Sequence, residues 1–165
     1  MRTLYLLRHA KSSWKDESLV DFERPLAGRG RRACESIAGL IRSEQVEFDL
    51  LLSSTAVRAR ETIERIRQLA KLRTELRFDE RIYEASAHRL LEVISQIEND
   101  RKNVLLIGHN PGFEELLQLI TGDVERVPTA CLAKIKLKIP KWSDVGPNQG
   151  TLEWIVRPKE LKVAD

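Results

Sequence analysis

Residues 3–10 read Thr3-Leu4-Tyr5-Leu6-Leu7-Arg8-His9-Ala10, and this stretch decides the fold. Its apolar run is too short for a helix, and Arg8-His9 halts it abruptly, so it predicts a buried strand. The same figure returns at 103–107, where Asn103-Val104-Leu105-Leu106-Ile107 is stopped by Gly108-His109-Asn110-Pro111-Gly112. Phe48 to Leu52 forms a third run, ending in Ser53-Ser54-Thr55.

Between these runs the apolar spacing changes to that of amphipathic helices. Arg31 to Glu44 carries Ala33, Cys34, Ile37, Ala38 and Ile41 on one face. Val57 to about Leu72 follows the hydroxyl residues 53–55, which are good helix N-caps. Ser86 to Ile97 and Phe113 to Ile120 complete the helical set, and Glu75 to Phe78 suggests a short strand. Cys131 to Ile139 alternates Leu132, Ile135, Leu137 and Ile139 with Lys134, Lys136 and Lys138, the pattern of an outer strand. Thr151 to Val156 is expected to be the last strand, and the polar tail after Pro158 to be loose.

Strands alternating with helices predict an α/β fold. The expected architecture is three-layer α/β/α, a mostly parallel sheet with helices on both faces. No linker divides the chain, so a single domain over 1–165 is expected, with a core of about 3–157 and a polar C-terminal tail.

Composition narrows the function. The chain has 28 Lys or Arg against 25 Asp or Glu, interleaved in sequence, which is too small a surplus to argue a nucleic-acid partner. Arg accounts for 18 of the 28, a bias that codon usage alone explains. Arg29, Arg31 and Arg32 lack interleaved aromatics and read as a solvated face. No apolar stretch approaches the roughly 20 residues of a membrane span. Leu4 to Leu7 is too short for a signal peptide. Cys34 and Cys131 form no CxxC, so neither a disulfide framework nor a zinc ribbon is indicated, and a cytoplasmic protein is expected.

In an open α/β sheet, ligands bind beyond the carboxyl ends of the strands. Three segments bring polar groups there: Arg8-His9, Ser53-Ser54 leading to Arg58, and Gly108-His109. A single histidine after a strand is usually a loop residue satisfied by backbone. Two of them at equivalent places, each beside a turn, point to a shared site. A metal finds no third ligand at familiar spacing, and Arg8 would repel it. Two guanidiniums and two imidazoles suit a phosphoryl group. Gly28-x-Gly30-x-x-Ala33 matches a dinucleotide fingerprint, but polar residues and Pro25 precede it where a buried strand is required. It is read as a turn and helix start, and His88 as a surface residue.

These segments resemble a known family. Leu6-Leu7-Arg8-His9-Ala10 is similar to the RHG signature of the histidine phosphatase superfamily. Ser53-Ser54-x-x-x-Arg58-Ala59-x-x-Thr62 is similar to its second arginine segment, Gly108-His109 to its second histidine, and Arg24-Pro25-Leu26 with Gly30 is also in place. The resemblance spans about 3–157 and is nearest to the small SixA-type phosphohistidine phosphatases. It implies a phosphoglycerate mutase-like fold without a cap domain.

The resemblance also implies roles. His9 is the expected nucleophile, forming a covalent phosphohistidine, while Arg8, Arg58 and His109 hold the phosphoryl group. Neutral His9 is expected to have its pKa lowered by neighbouring cations, and its other ring nitrogen to donate to a backbone carbonyl. Glu84 matches the place of the superfamily's general acid, though SixA-type enzymes need not carry a carboxylate there. Ala10 replaces the signature glycine. Lys15 stands where mutases often have Asn, as a phosphate contact or a flexible surface lysine. Arg24 is either a rim cation for an anionic substrate or an ion-pair partner of Asp21 or Glu23. No metal or other cofactor is expected.

The expected activity is therefore that of a phosphatase, acting foremost on phosphohistidine in proteins. A phosphatase of small phosphate monoesters and a non-catalytic phosphate-binding module are the alternatives. A phosphorylated protein or a small phosphate-bearing molecule is the expected partner, with neither nucleic acid nor membrane.

Overall fold

The structure, a computed structural model, describes residues 1–161. It contains strands β1 (Arg2–Arg8), β2 (Leu50–Ser53), β3 (Leu76–Phe78), β4 (Asn103–Gly108), β5 (Leu132–Leu137) and β6 (Gly150–Val156). Between them lie helices α1 (Gly28–Ser43), α2 (Val57–Leu69), α3 (Ala87–Ser95) and α4 (Gly112–Thr121). The strands form one sheet in the order β3-β2-β4-β1-β5-β6. The first four run parallel, and β5 pairs antiparallel with both β1 and β6.

The apolar runs are continuous because both faces of the parallel strands are covered. Leu4, Leu6, Leu50, Leu52, Val104 and Leu106 pack against α3 and α4, with buried Trp142 closing the same core. Tyr5, Leu7, Leu51, Leu105 and Ile107 face the other way, onto α1 and α2. Losing one of these fully buried leucines to alanine costs about 2–5 kcal/mol. This is the expected three-layer α/β/α arrangement.

Register sets up the site. Arg8 lies opposite Gly108, and Ser53 opposite Ile107, so β1, β4 and β2 end at one level. The next residues, His9, His109 and Ser54, therefore emerge side by side at the carboxyl edge.

Four local expectations are corrected. The hydroxyl residues 53–55 do not cap α2: its N-cap is Ala56, which makes no side-chain cap bond. The segment 132–137 is not an outer strand but pairs on both sides, with β1 and β6, and the edge strand is β6. Lys134 and Lys136 mimic an edge because they stand on the open face, where both pair with Glu153. α1 begins at Gly28, three residues before Arg31, because Gly30 lets its first turn press on the loop after β1. The segment after Pro158 begins with a 3-10 turn at Pro158–Glu160, and Leu161 packs on the α1–α2 side of the core. Residues 162–165 of the expected loose tail lie outside the described residues. Among the described residues, no helix is long and apolar enough to cross a membrane.

Candidate active site

His9 is 6% exposed. Its Nδ1 donates to the Ala10 carbonyl at 2.8 Å, which fixes the tautomer and leaves Nε2 unprotonated, as an acceptor. Arg58 Nε approaches that Nε2 at 3.4 Å. Burial lowers the His9 pKa to about 4, helped by the charges of Arg58, Arg8 and Arg24 and opposed by the Ala10 bond. The expected neighbouring cations do contribute, but loss of solvent is the larger cause. The ring is therefore neutral at pH 7.

His109 stands beside it, the two ring centroids 5.1 Å apart. Its Nε2 lies 2.7 Å from Ser54 Oγ, and Ser54 Oγ also accepts from Ala56 N at 3.2 Å. With the Ser54 proton donated to Nε2, His109 carries its own proton on Nδ1. That buried Nδ1 has no hydrogen-bond partner in the protein. Burial, with the charges of His9 and Arg58, lowers the His109 pKa to about 3. Gly108 before it is obligatory in practice, since a Cβ there would meet the Phe113 ring at 2.7 Å.

Arg58 comes from the first turn of α2, and its carbonyl accepts from Thr62 Oγ1 at 2.6 Å. Thr62 Oγ1 in turn accepts from Ala10 N at 3.0 Å, tying α2 to the residue after His9. Arg58 Nη1 donates to the Asp21 carbonyl at 2.8 Å and Nη2 to Asp21 Oδ2 at 3.0 Å. Asp21 also pairs through Oδ1 with Arg24 Nη1 at 2.8 Å and accepts from the Tyr83 hydroxyl at 2.6 Å. The Tyr83 bond, with both arginines, holds the Asp21 carboxyl at about 2. Burial and the Asp21 bond push the Tyr83 phenol up to about 12. Arg8 Nη1 donates to the Val127 carbonyl at 3.2 Å, while its buried Nε has no protein partner.

The structure thus brings together Arg8, His9, Arg58 and His109. Arg24 is 7% exposed and serves as the ion-pair partner of Asp21 rather than as an open rim cation. It also donates to Ser12 Oγ and lies 3.3 Å beneath the Trp14 ring centroid. Lys15 is exposed and, among the described residues, its ammonium has no site partner. Glu84 is exposed beside Tyr83, on a left-handed backbone with φ 54°. His88, Arg29, Arg31 and Arg32 are exposed. Among the described residues, no three of His, Cys, Asp or Glu gather to hold a metal ion.

A family model for the histidine phosphatase superfamily (branch 1) matches residues 4–100. The chain belongs to that superfamily. An uncharacterised chloroplastic protein of Arabidopsis thaliana is 31% identical over 170 residues, covering 95% of this chain and 78% of its own length. A Mycobacterium tuberculosis protein, also uncharacterised, is 29% identical, covering 88% and 96%. Among solved structures, a candidate phosphohistidine phosphatase SixA from Agrobacterium tumefaciens superposes with TM-score 0.81 and 28% identity, covering 95% of this chain and 98% of its own. The protein histidine phosphatase SixA complexed with tungstate gives TM-score 0.83 at 22% identity, covering 97% and 99%. The histidine phosphatase fold therefore extends beyond the matched 4–100 to β5 and β6.

Sequence reasoning missed Tyr83, placed Ser54 at the site edge without a partner, and gave Asp21 only as a possible partner of Arg24. Ser54 lies inside the quoted Ser53–Thr62 segment, and Tyr83 immediately precedes Glu84, so both were within reach. The Val127 carbonyl was not, because a backbone acceptor has no residue signature.

Proposed function

We propose that this chain is a phosphatase that works through a covalent phosphohistidine on His9, with phosphohistidine in proteins as its substrate. The observation that carries the reading is the His9 tautomer: Nδ1 is spent on the Ala10 carbonyl, and Nε2 faces Arg58 beside His109. A neutral imidazole held this way is a nucleophile aimed into a cluster of donors.

In the first step His9 Nε2 forms a bond to phosphorus while the bond from phosphorus to the leaving nitrogen breaks. That nitrogen keeps the bonding pair, and because the ring's other nitrogen carries a proton the histidine departs as a neutral imidazole. Arg8, Arg58 and the Nδ1–H of His109 donate to the equatorial phosphoryl oxygens, where negative charge is greatest. The buried Arg8 Nε and His109 Nδ1, which have no protein partner, gain acceptors in this way. In the second step water attacks phosphorus, the P–Nε2 bond breaks, and phosphate leaves with His9 regenerated.

Protein substrates are supported by the SixA likeness at 28% identity and by Trp14, 67% exposed where it stacks on Arg24 beside Asp21. A cytoplasmic setting is supported by two buried free thiols, Cys34 and Cys131. Phosphate monoesters are a second reading, favoured by the exposed Glu84 carboxylate near the site, which suits protonation of an alkoxide.

The experiment is rapid quench with a labelled phosphohistidine protein, comparing wild type with His9→Ala. Label on His9 during turnover, lost with the variant, is expected. Turnover with no label ever reaching His9 overturns the mechanism.

A further inference from the structure

Two aromatic rings at the mouth of the site have no part in holding the phosphoryl group. Tyr83 stands with its ring centroid 5.5 Å from that of His109 in an edge-on arrangement. The Arg58 guanidinium lies 5.9 Å from the same ring. Phe22 packs edge-on against Tyr83 from outside, at 5.1 Å, and remains 37% exposed. The rings thus step outward from the phosphoryl-binding groups towards solvent. Phe22 is carried there by the short turn Asp21–Glu23, whose Asp21 binds Arg58, Arg24 and Tyr83 together. Beyond the two rings opens a hollow of about 750 Å³, also bordered by Thr55, Glu84 and Arg89.

We infer that Phe22 and Tyr83 form a leaving-group subsite that selects a planar ring, the imidazole of the departing histidine. The inference rests on the proposed phosphohistidine activity and adds the residues that choose among phosphoramidates. A phosphoryl group held by Arg8, Arg58 and His109 has Tyr83 as its neighbour, so the group it leaves behind passes along the two rings. Aromatic side chains attract a planar π-system by offset or edge-on contact, a preference an amine or a flexible alkyl chain does not share. The hollow beyond leaves room for the polypeptide on either side of that histidine.

The test compares two substrates that break the same kind of P–N bond. Phosphohistidine departs as an imidazole, and phosphoramidate departs as ammonia with no ring. Wild type is expected to prefer phosphohistidine in kcat/KM. Phe22→Ala and Phe22→Leu are expected to lower kcat/KM for phosphohistidine about fivefold to tenfold, chiefly through KM, and for phosphoramidate less than twofold. Phe22→Tyr is expected to keep the preference. Because the readout is a ratio, a general disturbance of Asp21 slows both substrates alike and is told apart from loss of the subsite. Equal losses on the two substrates, or an unchanged ratio in both ring-deleting variants, overturn the subsite alone. Failure of wild type to hydrolyse either compound overturns the phosphohistidine activity and the subsite with it.

Discussion

Asp21 grips Arg58 twice, its main-chain carbonyl 2.8 Å from Nη1 and its carboxylate 3.0 Å from Nη2. The long guanidinium is thereby fixed at the turn where it meets His9, before any substrate arrives. Preorganisation of this kind contributes because a displacement of about 1 Å can cost about 100-fold in rate. Asp21→Ala is expected to reduce kcat/KM about 10- to 100-fold, with the far-ultraviolet spectrum and fold retained. Steady-state kinetics on phosphohistidine checks this, and an unchanged rate would show that Arg58 needs no such clamp.

The two buried imidazoles make stability depend on pH. Their native pKa values, about 4 for His9 and about 3 for His109, lie below the ordinary 6.5. Between those values and 6.5 the unfolded chain binds more protons than the native one, so stability rises with pH across that window. It is lost as pH falls from 6.5, with a slope of up to roughly 1.4 kcal/mol per pH unit for each imidazole. Urea titrations from pH 7 to pH 4 are expected to show this slope, and a His9→Gln/His109→Gln double variant to flatten it. A slope that survives in the double variant would assign the effect to other groups.

Ser54 Oγ lies 2.7 Å from His109 Nε2, and a hydroxyl proton donated there places the imidazole proton on Nδ1. Ser54→Ala is expected to free the tautomer and weaken inhibition by orthovanadate, a phosphoryl-state mimic, about tenfold. Because Ala56 N also loses its acceptor, a stability loss of about 1 kcal/mol accompanies the change. Unaltered vanadate affinity would remove His109 Nδ1 from the phosphoryl-binding set.

Two glycines of the same helix should respond in opposite ways. A Cβ on Gly30 would sit 2.2 Å from the Lys11 carbonyl, whereas one on Gly39 meets nothing within 4 Å. Gly30→Ala is expected to cost about 1–3 kcal/mol and to reduce activity, because Lys11 follows directly on His9-Ala10. Gly39→Ala is expected to stabilise by about 0.5–1 kcal/mol with activity intact. Chemical denaturation of the two variants reads both signs.

Glu84 separates the two substrate readings. An alkoxide leaving group needs a proton at departure, and the P–N bond of phosphohistidine needs less help from the enzyme. Glu84→Gln is expected to slow a phosphate monoester at least several-fold more than phosphohistidine. Equal losses on the two substrates would remove that distinction.

The central strands could be read from the sequence because burial on both faces leaves an unbroken apolar run, and the residue that ends each run is the one delivered to the site. That is why Arg8, His9 and His109 were legible. Lys134 and Lys136 misled because a strand with one open face carries the same alternation whether it lies at an edge or inside a sheet; only the partner strand with Glu153 decides. Ser54 was misassigned because a small hydroxyl before a helix usually caps it, and here the imidazole across the sheet edge claims it instead. The convergence of Asp21 on Arg58, Arg24 and Tyr83 joins residues up to 62 positions apart, a relation that no local pattern encodes.

β1 lies between β4 and β5, and neither neighbour follows it in the chain. Its partners on both sides begin only at residues 103 and 132. During synthesis the strand that leads into His9 therefore has no sheet partner until most of the chain has left the ribosome. Non-local pairing of this kind slows folding and exposes strand edges meanwhile. The arrangement that buries His9 in the finished protein makes its strand among the last to be seated.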